Sequence, residues 1–315
     1  MLAVVSILLL FAGCATVEIE QQQATSLEIL EEEGGYRVID SGMPVLFYQL
    51  EPTSLDGRYQ RSNYVHPLYG LDGEVLTEDF PEDHPHHRGV FWTWHQVLIG
   101  DIRAGDPWLA QGFSWSVEEA RVLPERDGLY LRHRWFSPDY SEGREPIAEE
   151  TAEVVVHPAN GTVRMIDFDI RLRALQQDVR VGGSEDDKGY GGFSLRVKMV
   201  PDIRFAAATG VVAPSRAPID AGNWVDFSAD FGGRGSPSGI AILVHPDSAG
   251  YPQPWILRSP ASPSMQNPVW PGPDPAPVPA DGHVRLRYRL VVHRGTAADV
   301  DLAAMAETFA ALPTR

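Results

Sequence analysis

Along residues 163–175, VRMIDFDIRLRAL, apolar and charged side chains alternate: Ile166, Phe168, Ile170 and Leu172 fall on one face, Asp167, Asp169, Arg171 and Arg173 on the other. Residues 284–293, VRLRYRLVVH, repeat the pattern, with Val284, Leu286, Tyr288 and Leu290 set between Arg285, Arg287 and Arg289. A period of two marks a half-buried strand of an antiparallel sheet. Apolar or alternating runs at 44–50, 112–123, 129–136, 152–158, 192–200 and 239–246 predict further strands, and Asn160-Gly161 predicts a tight hairpin before residue 163. Only residues 296–312, TAADVDLAAMAETFAAL, show helical spacing, with Thr296 as the expected cap.

The 26 prolines and 29 glycines concentrate between these runs, as they do where many strands are joined by irregular loops. The expected fold is all-β, a large antiparallel β-sandwich of two sheets with a short C-terminal helix. Residues 259–282 are proline-dense, and a loop of that length is expected to be functional or disordered. There is no internal repeat.

The first residues, MLAVVSILLLFAGCATVEIE, hold an apolar run too short to span a bilayer, ending in Ala12-Gly13-Cys14. Residues 1–14 are therefore expected to be a lipoprotein signal peptide, with Cys14 the lipidated residue of an exported protein at the periplasm or cell surface. Residues 15–35, rich in Gln and Glu, are expected to be a flexible tether, and 36–315 a single domain. Cys14 is the only cysteine, so a mature chain acylated there has neither disulfide nor free thiolate, and any nucleophile or ligand is an oxygen or a nitrogen. The net charge of −17, from 26 basic and 43 acidic residues, argues against nucleic acid as a partner.

The densest chemistry lies at residues 83–89, DHPHHRG, where three imidazoles and a guanidinium precede VFWTWH. Pro85 cannot donate to a sheet ladder, so this stretch is a loop or strand entry that presents its histidines. In the strand after it, Val90, Trp92 and Trp94 are expected on one face and Phe91, Thr93 and His95 on the other. Three readings compete. His86, His87 and Arg88 can form an acid/base site; His84 and His86 can ligate Zn or Cu; or the histidines can serve only as hydrogen-bonding loop residues. Upstream, Glu78 and Asp79 sit between Leu76 and Phe80 as candidate catalytic carboxylates, while Glu82 and Asp83 read as a solvated acidic loop. His66, Lys188 and Tyr190 on a Gly-rich turn, and His245, Trp255 and Arg258 add polar and aromatic groups of the kind that line carbohydrate sites. Trp224 and Trp255 are equally compatible with the core.

Residues 61–94 with their DHPHHRG element, the GYGGF turn, the VHP element, YPQPW and the closing YRLVVHRG together resemble a bacterial family of unknown function that often carries the label PmoA-like or methane oxygenase. The resemblance covers residues 36 to 297. The label does not transfer as function, since methane monooxygenase subunits of that name are integral membrane proteins and no apolar stretch of about 20 residues follows residue 14. Members of the family resemble galactose-mutarotase-type β-sandwich proteins. That resemblance implies carbohydrate chemistry, and residue by residue it transfers only His84, His86, His87 and Arg88, with His66 and His245 as neighbours.

The expectation is thus an exported carbohydrate-active enzyme acting on a glycosidic bond or sugar ring by general acid/base catalysis, hydrolysis slightly preferred, without a cofactor. His86, His87, Arg88, Glu78, Asp79 and His245 would be catalytic. His66, His84, Trp94, Lys188, Tyr190, Trp255 and Arg258 would contact a saccharide. The alternatives are a non-catalytic sugar-binding lipoprotein and a His-ligated metalloprotein, with membrane contact through the lipid alone.

Overall fold

The computed structural model describes residues 27–258 and 266–313. The expected signal peptide, Cys14, tether residues 15–26 and residues 259–265 of the proline-dense loop lie outside the described residues.

The alternating stretches form the centre of a nine-stranded antiparallel sheet. Val163–Ala174 pairs on one side with Ala148–Val156 and on the other with Val284–Arg294. Ser114–Leu123 and Gly128–Phe136 extend the sheet from the Ala148–Val156 side. Ser238–Val244, Trp224–Ala229, Arg204–Ala207 and Gly210–Val212 extend it from the other. The expected hairpin is present, with an Asn160–Val163 bridge and Gly161 at φ 61°, a backbone region that glycine enters without steric cost.

A six-stranded sheet faces it, in the order Leu27–Glu32, Gly35–Asp40, Met43–Gln49, Tyr64–Leu68, Val90–Thr93 and Gly192–Leu195. The apolar faces of the two sheets meet in one core. Phe168 and Tyr288 are register partners in one sheet, Trp92 and Phe193 in the other. Across the gap Phe193 stacks on Tyr288 at 4.3 Å and Trp92 meets Phe168 edge-on at 6.0 Å. Val90, Trp92 and Trp94 join this core while Phe91 packs with Tyr64 and Trp108 in a separate cluster, so both faces of the strand are covered, as the alternation predicts.

Two boundaries need correction. The tether expected to run to residue 35 gives way to a strand at Leu27, which pairs through Glu32 with Gly35–Asp40. Its three glutamates are exposed, but Leu27 is buried and Ile29 packs against the core, a short alternation that the acidic composition conceals. At the other end Thr296 caps a 3-10 turn, Ala297–Asp299, through a reciprocal bond with Asp299. The α-helix itself is Leu302–Ala310, with Asp301 as its cap. The proline-dense stretch is not loose where described: Gln266, Asn267 and Trp270 are buried, and Asn267–Pro268 pairs with Trp255–Ile256.

Candidate functional site

The loop carrying DHPHHRG leaves and re-enters the sandwich at one point. An antiparallel bridge joins Asp79 to Arg88, and Gly89 donates to the Glu78 carbonyl at 2.9 Å. At its tip His84 N–H bonds the Pro81 carbonyl at 3.1 Å and His87 N–H the His84 carbonyl at 2.8 Å. Glycine is required at 89, because a Cβ there would overlap the Val65 carbonyl oxygen of the neighbouring strand.

Two buried arginines fix the loop from beneath. Arg61 is bonded to Asp79, donates to the Pro85 carbonyl at 2.6 Å and lies over the Phe80 ring. Arg196 donates to Glu78 at 2.8 Å and to Asp83 at 2.7 Å. Glu78 and Asp79 are therefore each committed to a guanidinium, and Asp79 also accepts from Tyr64 Oη at 2.8 Å. The two candidate catalytic carboxylates thus each sit in an ion pair at the base of the loop. Asp83, expected to be merely solvated, is instead a structural anchor.

The three imidazoles form one cluster. His84 and His87 stack with centroids 4.7 Å apart, and His86 stands edge-on to both, at 5.7 and 4.5 Å. His84 Nδ1 lies 2.6 Å from Asp83, and His87 Nδ1 lies 3.3 Å from Arg196. His87 is only 2 % exposed, so it is packed, where sequence reading had all three presented. His86 is half-buried; its carbonyl accepts from Arg88 at 3.4 Å, and its ring has no protein hydrogen-bond partner among the described residues. Burial first, then the charges of His84 and Arg88, lower its pKa to about 3, and burial likewise drives His87 well below the ordinary histidine value. At neutral pH both rings are uncharged. Among the described residues, no group of three or more His, Cys, Asp or Glu side chains is arranged to hold a metal ion.

Arg88 lies beneath the cluster, 1 % exposed, over Phe91 at 4.7 Å and Trp115 at 5.5 Å. Burial and the neighbouring Arg61 charge bring its pKa down to about 9. Its Nε has no partner among the described residues.

Sequence reading missed Asp106, His95 and Trp108 as members of the other wall of the site. Asp106 lies 3.0 Å from His95 Nδ1, and His95 Nε2 is buried without a partner. A carboxylate on Nδ1 fixes the proton there and leaves Nε2 as an acceptor. His95 stacks on Trp108 at 5.3 Å, Tyr190 closes against both rings at 5.1 Å, and Trp108 meets His87 edge-on at 6.2 Å. The Asp106-Pro107-Trp108 turn was the available signal, since it sets an acid and an indole in a Gly/Pro-rich break.

Of the predicted contact residues, Tyr190 and Lys188 belong here. Lys188 is ion-paired with Asp186 and sits 5.6 Å from the Tyr190 ring centre. Burial raises the Tyr190 pKa, so the phenol keeps its proton, and Arg258 is close enough to oppose that rise. His66 stands beside the loop with Nδ1 on Thr77 at 3.0 Å. Trp94 and Trp255 are corrected to core: both are 0 % exposed, and their indole N–H groups bond the Trp270 and Gly222 carbonyls. His245 is elsewhere, edge-on to Phe309 of the C-terminal helix and 3.2 Å from Arg287, with no contact to the loop.

No curated protein matches the chain. Two solved structures resemble it slightly. One, described as a "putative mutarotase (YeaD)" from Salmonella typhimurium, is 11% identical with a TM-score of 0.34, covering 88% of this chain and 96% of that one. The other is a 4-alpha-glucanotransferase from Thermococcus litoralis, 9% identical with a TM-score of 0.19, covering 87% of this chain and 38% of that one. Neither likeness is close enough to carry function across, and neither bears the PmoA-like label. The histidine loop, Trp108, Tyr190 and Arg196 all fall within residues 37–307, which match the model of a family of unknown function, DUF6807, and the chain belongs to that family.

Proposed function

We propose that the protein is an exported, lipid-anchored carbohydrate-active enzyme that moves protons on a sugar ring at the histidine loop. The observation that carries this reading is His86, an imidazole kept neutral with no protein hydrogen-bond partner among the described residues. It serves as the base. Tyr190, whose phenol stays protonated, serves as the acid. His95, oriented by Asp106, is a second acceptor, and the buried Arg88 guanidinium favours negative charge developing on a substrate oxygen.

Ring proton transfer fits these residues better than glycoside hydrolysis. Hydrolysis asks for two free carboxyl groups flanking the bond, and Glu78 and Asp79 are both held by arginines. Tyr190, half-buried and backed by the buried Trp108, supplies the ring face that the core residues Trp94 and Trp255 do not.

The test is proton NMR of the full-length protein with a panel of aldoses and aryl glycosides in deuterated buffer. Faster anomer equilibration marks ring opening, deuterium at a ring carbon marks epimerisation, and released aryl alcohol marks hydrolysis. Turnover of either of the first two kinds that is lost in His86→Ala supports the reading. Sugar binding without any turnover in the wild-type protein replaces it with a sugar-binding lipoprotein.

A further inference from the structure

A second polar site lies on the outer face of the nine-stranded sheet. The charged halves of the two alternating strands meet there in register, Asp167 opposite Arg289, Asp169 opposite Arg287 and Arg171 opposite Arg285. Above them the C-terminal residues Phe309, Leu312 and Pro313 wall a cavity of about 450 Å³, a volume in the range of small-molecule sites.

Its electrostatics run against the rest of the molecule. Five arginines line it, Arg126, Arg171, Arg285, Arg287 and Arg289, against three carboxylates, Glu153, Asp167 and Asp169. Asp247, just behind, brings the carboxylates to four. Guanidinium is in excess on a chain of net charge −17.

The excess has a direction. Arg285 gives Nε and Nη2 to Asp169, and Arg289 gives the same two atoms to Asp167, each a bidentate pair at 2.5–2.9 Å. Arg287 differs: it uses Nη1 alone, on Asp247 at 2.8 Å and His245 Nδ1 at 3.2 Å. Among the described residues nothing accepts from its Nε and Nη2, although the residue is only 7 % exposed. That edge of a guanidinium carries two parallel N–H donors spaced to match the two oxygens of a carboxylate.

We propose that this cavity is a binding site for a small carboxylate-bearing ligand, of which an acidic sugar is the representative, held by the Nε/Nη2 edge of Arg287. The site is separate from the histidine loop and does not depend on the activity proposed there.

The experiment is calorimetric titration of the full-length protein with D-glucuronate, with D-glucose and inorganic sulfate as comparison ligands. Arg287→Gln removes the fork, and Leu312→Glu places a negative charge on the exposed rim without touching an ion pair, so it serves if the first variant folds poorly. Glucuronate is expected to bind, glucose not, and each variant to weaken glucuronate at least tenfold while the fold is retained. His95→Gln is expected to leave glucuronate binding unchanged. The proposal is overturned if glucuronate does not bind, if glucose or sulfate binds as tightly, if Leu312→Glu changes nothing, or if only His95→Gln abolishes binding, which would place the ligand at the histidine loop.

Discussion

Arg196 and Asp83, 113 residues apart in sequence, meet at 2.7 Å and tie the tip of the histidine loop to the strand that follows the GYGGF turn. The same guanidinium holds Glu78 and touches His87 Nδ1 at 3.3 Å, so one buried cation joins the entry of the loop, its tip and the imidazole near its exit. Replacing it leaves two carboxylates without their partner beside a protein that already carries net charge −17.

Arg196→Met is accordingly expected to destabilise the protein by about 3 kcal/mol, the scale seen when one member of a buried ion pair is removed. Urea unfolding measures the loss, and limited proteolysis reports whether cleavage appears between residues 81 and 87. A variant within about 0.5 kcal/mol of wild type, the usual range of a neutral surface change, would mean that the pair does not hold the loop.

At the proposed site, His86→Gln and Tyr190→Phe separate chemistry from packing. The first keeps a polar side chain of similar reach, and the second keeps the ring that touches Trp108 at 5.1 Å while removing the phenol. Each is expected to lower turnover by about 10²- to 10⁴-fold, the usual contribution of a general acid or base, with the melting temperature unchanged. Asp106→Asn should fall between wild type and these, because it acts on the site through the orientation and tautomer of His95, while the amide oxygen can still accept from Leu109 N–H. Equal turnover in wild type and Tyr190→Phe removes the phenol from the mechanism.

Much of the fold was legible because its determinants are local. The alternation of residues 163–174 with 284–290 fixes which face is buried, and a single residue of slip would bury Asp167 and Arg289 in place of Phe168 and Tyr288. The first strand was not legible, since Leu27 and Ile29 are too few apolar residues to stand out among glutamates. The histidine loop could be read from its composition, but the fate of Glu78 and Asp79 could not. It depends on Arg61 and Arg196, which sequence places 18 and 118 residues away. The Trp94 and Trp255 assignments failed for a related reason: an indole beside polar residues looks the same in sequence whether its face is open to a sugar or, as here, covered by the core.

Glu150 marks where the core carries a polar network. It is 1 % exposed and accepts from Trp92 Nε1 at 2.6 Å, Asn63 Nδ2 at 2.6 Å and Trp135 Nε1 at 2.9 Å. Burial raises its pKa, and the three donors pull in the opposite direction. Glu150→Gln turns one oxygen into an NH₂ that faces a donor, and is expected to cost about 2 kcal/mol in urea unfolding, with Trp fluorescence reporting the altered indoles. No loss of stability would show that the three donors find other acceptors.

His133 offers a cleaner pH probe than the site itself. It is 0 % exposed, neither ring nitrogen has a partner among the described residues, and burial alone lowers its pKa from 6.5 to about 4. A histidine buried neutral takes up its proton in the unfolded chain first. Its contribution is therefore complete above pH 6.5 and is lost as pH falls towards 4, by about 1.4 kcal/mol per pH unit through the window. His86 and His87 act in the same direction. His293 acts in the other: burial lowers its pKa, the hydrogen bond and charge of Asp226 outweigh burial, and its stabilising share is lost as pH rises through the elevated value. Asp167 and Asp169 add to the acid loss only below about 3.8, their ordinary value, because burial raises their pKa values but the Arg289 and Arg285 bonds bring them lower still. Urea midpoints measured from pH 7 to 4.5 should therefore fall steadily in wild type and less steeply in His133→Leu, with the two curves closest at pH 7. Parallel curves would mean that His133 is hydrated or paired in the folded protein and carries no share of the acid sensitivity.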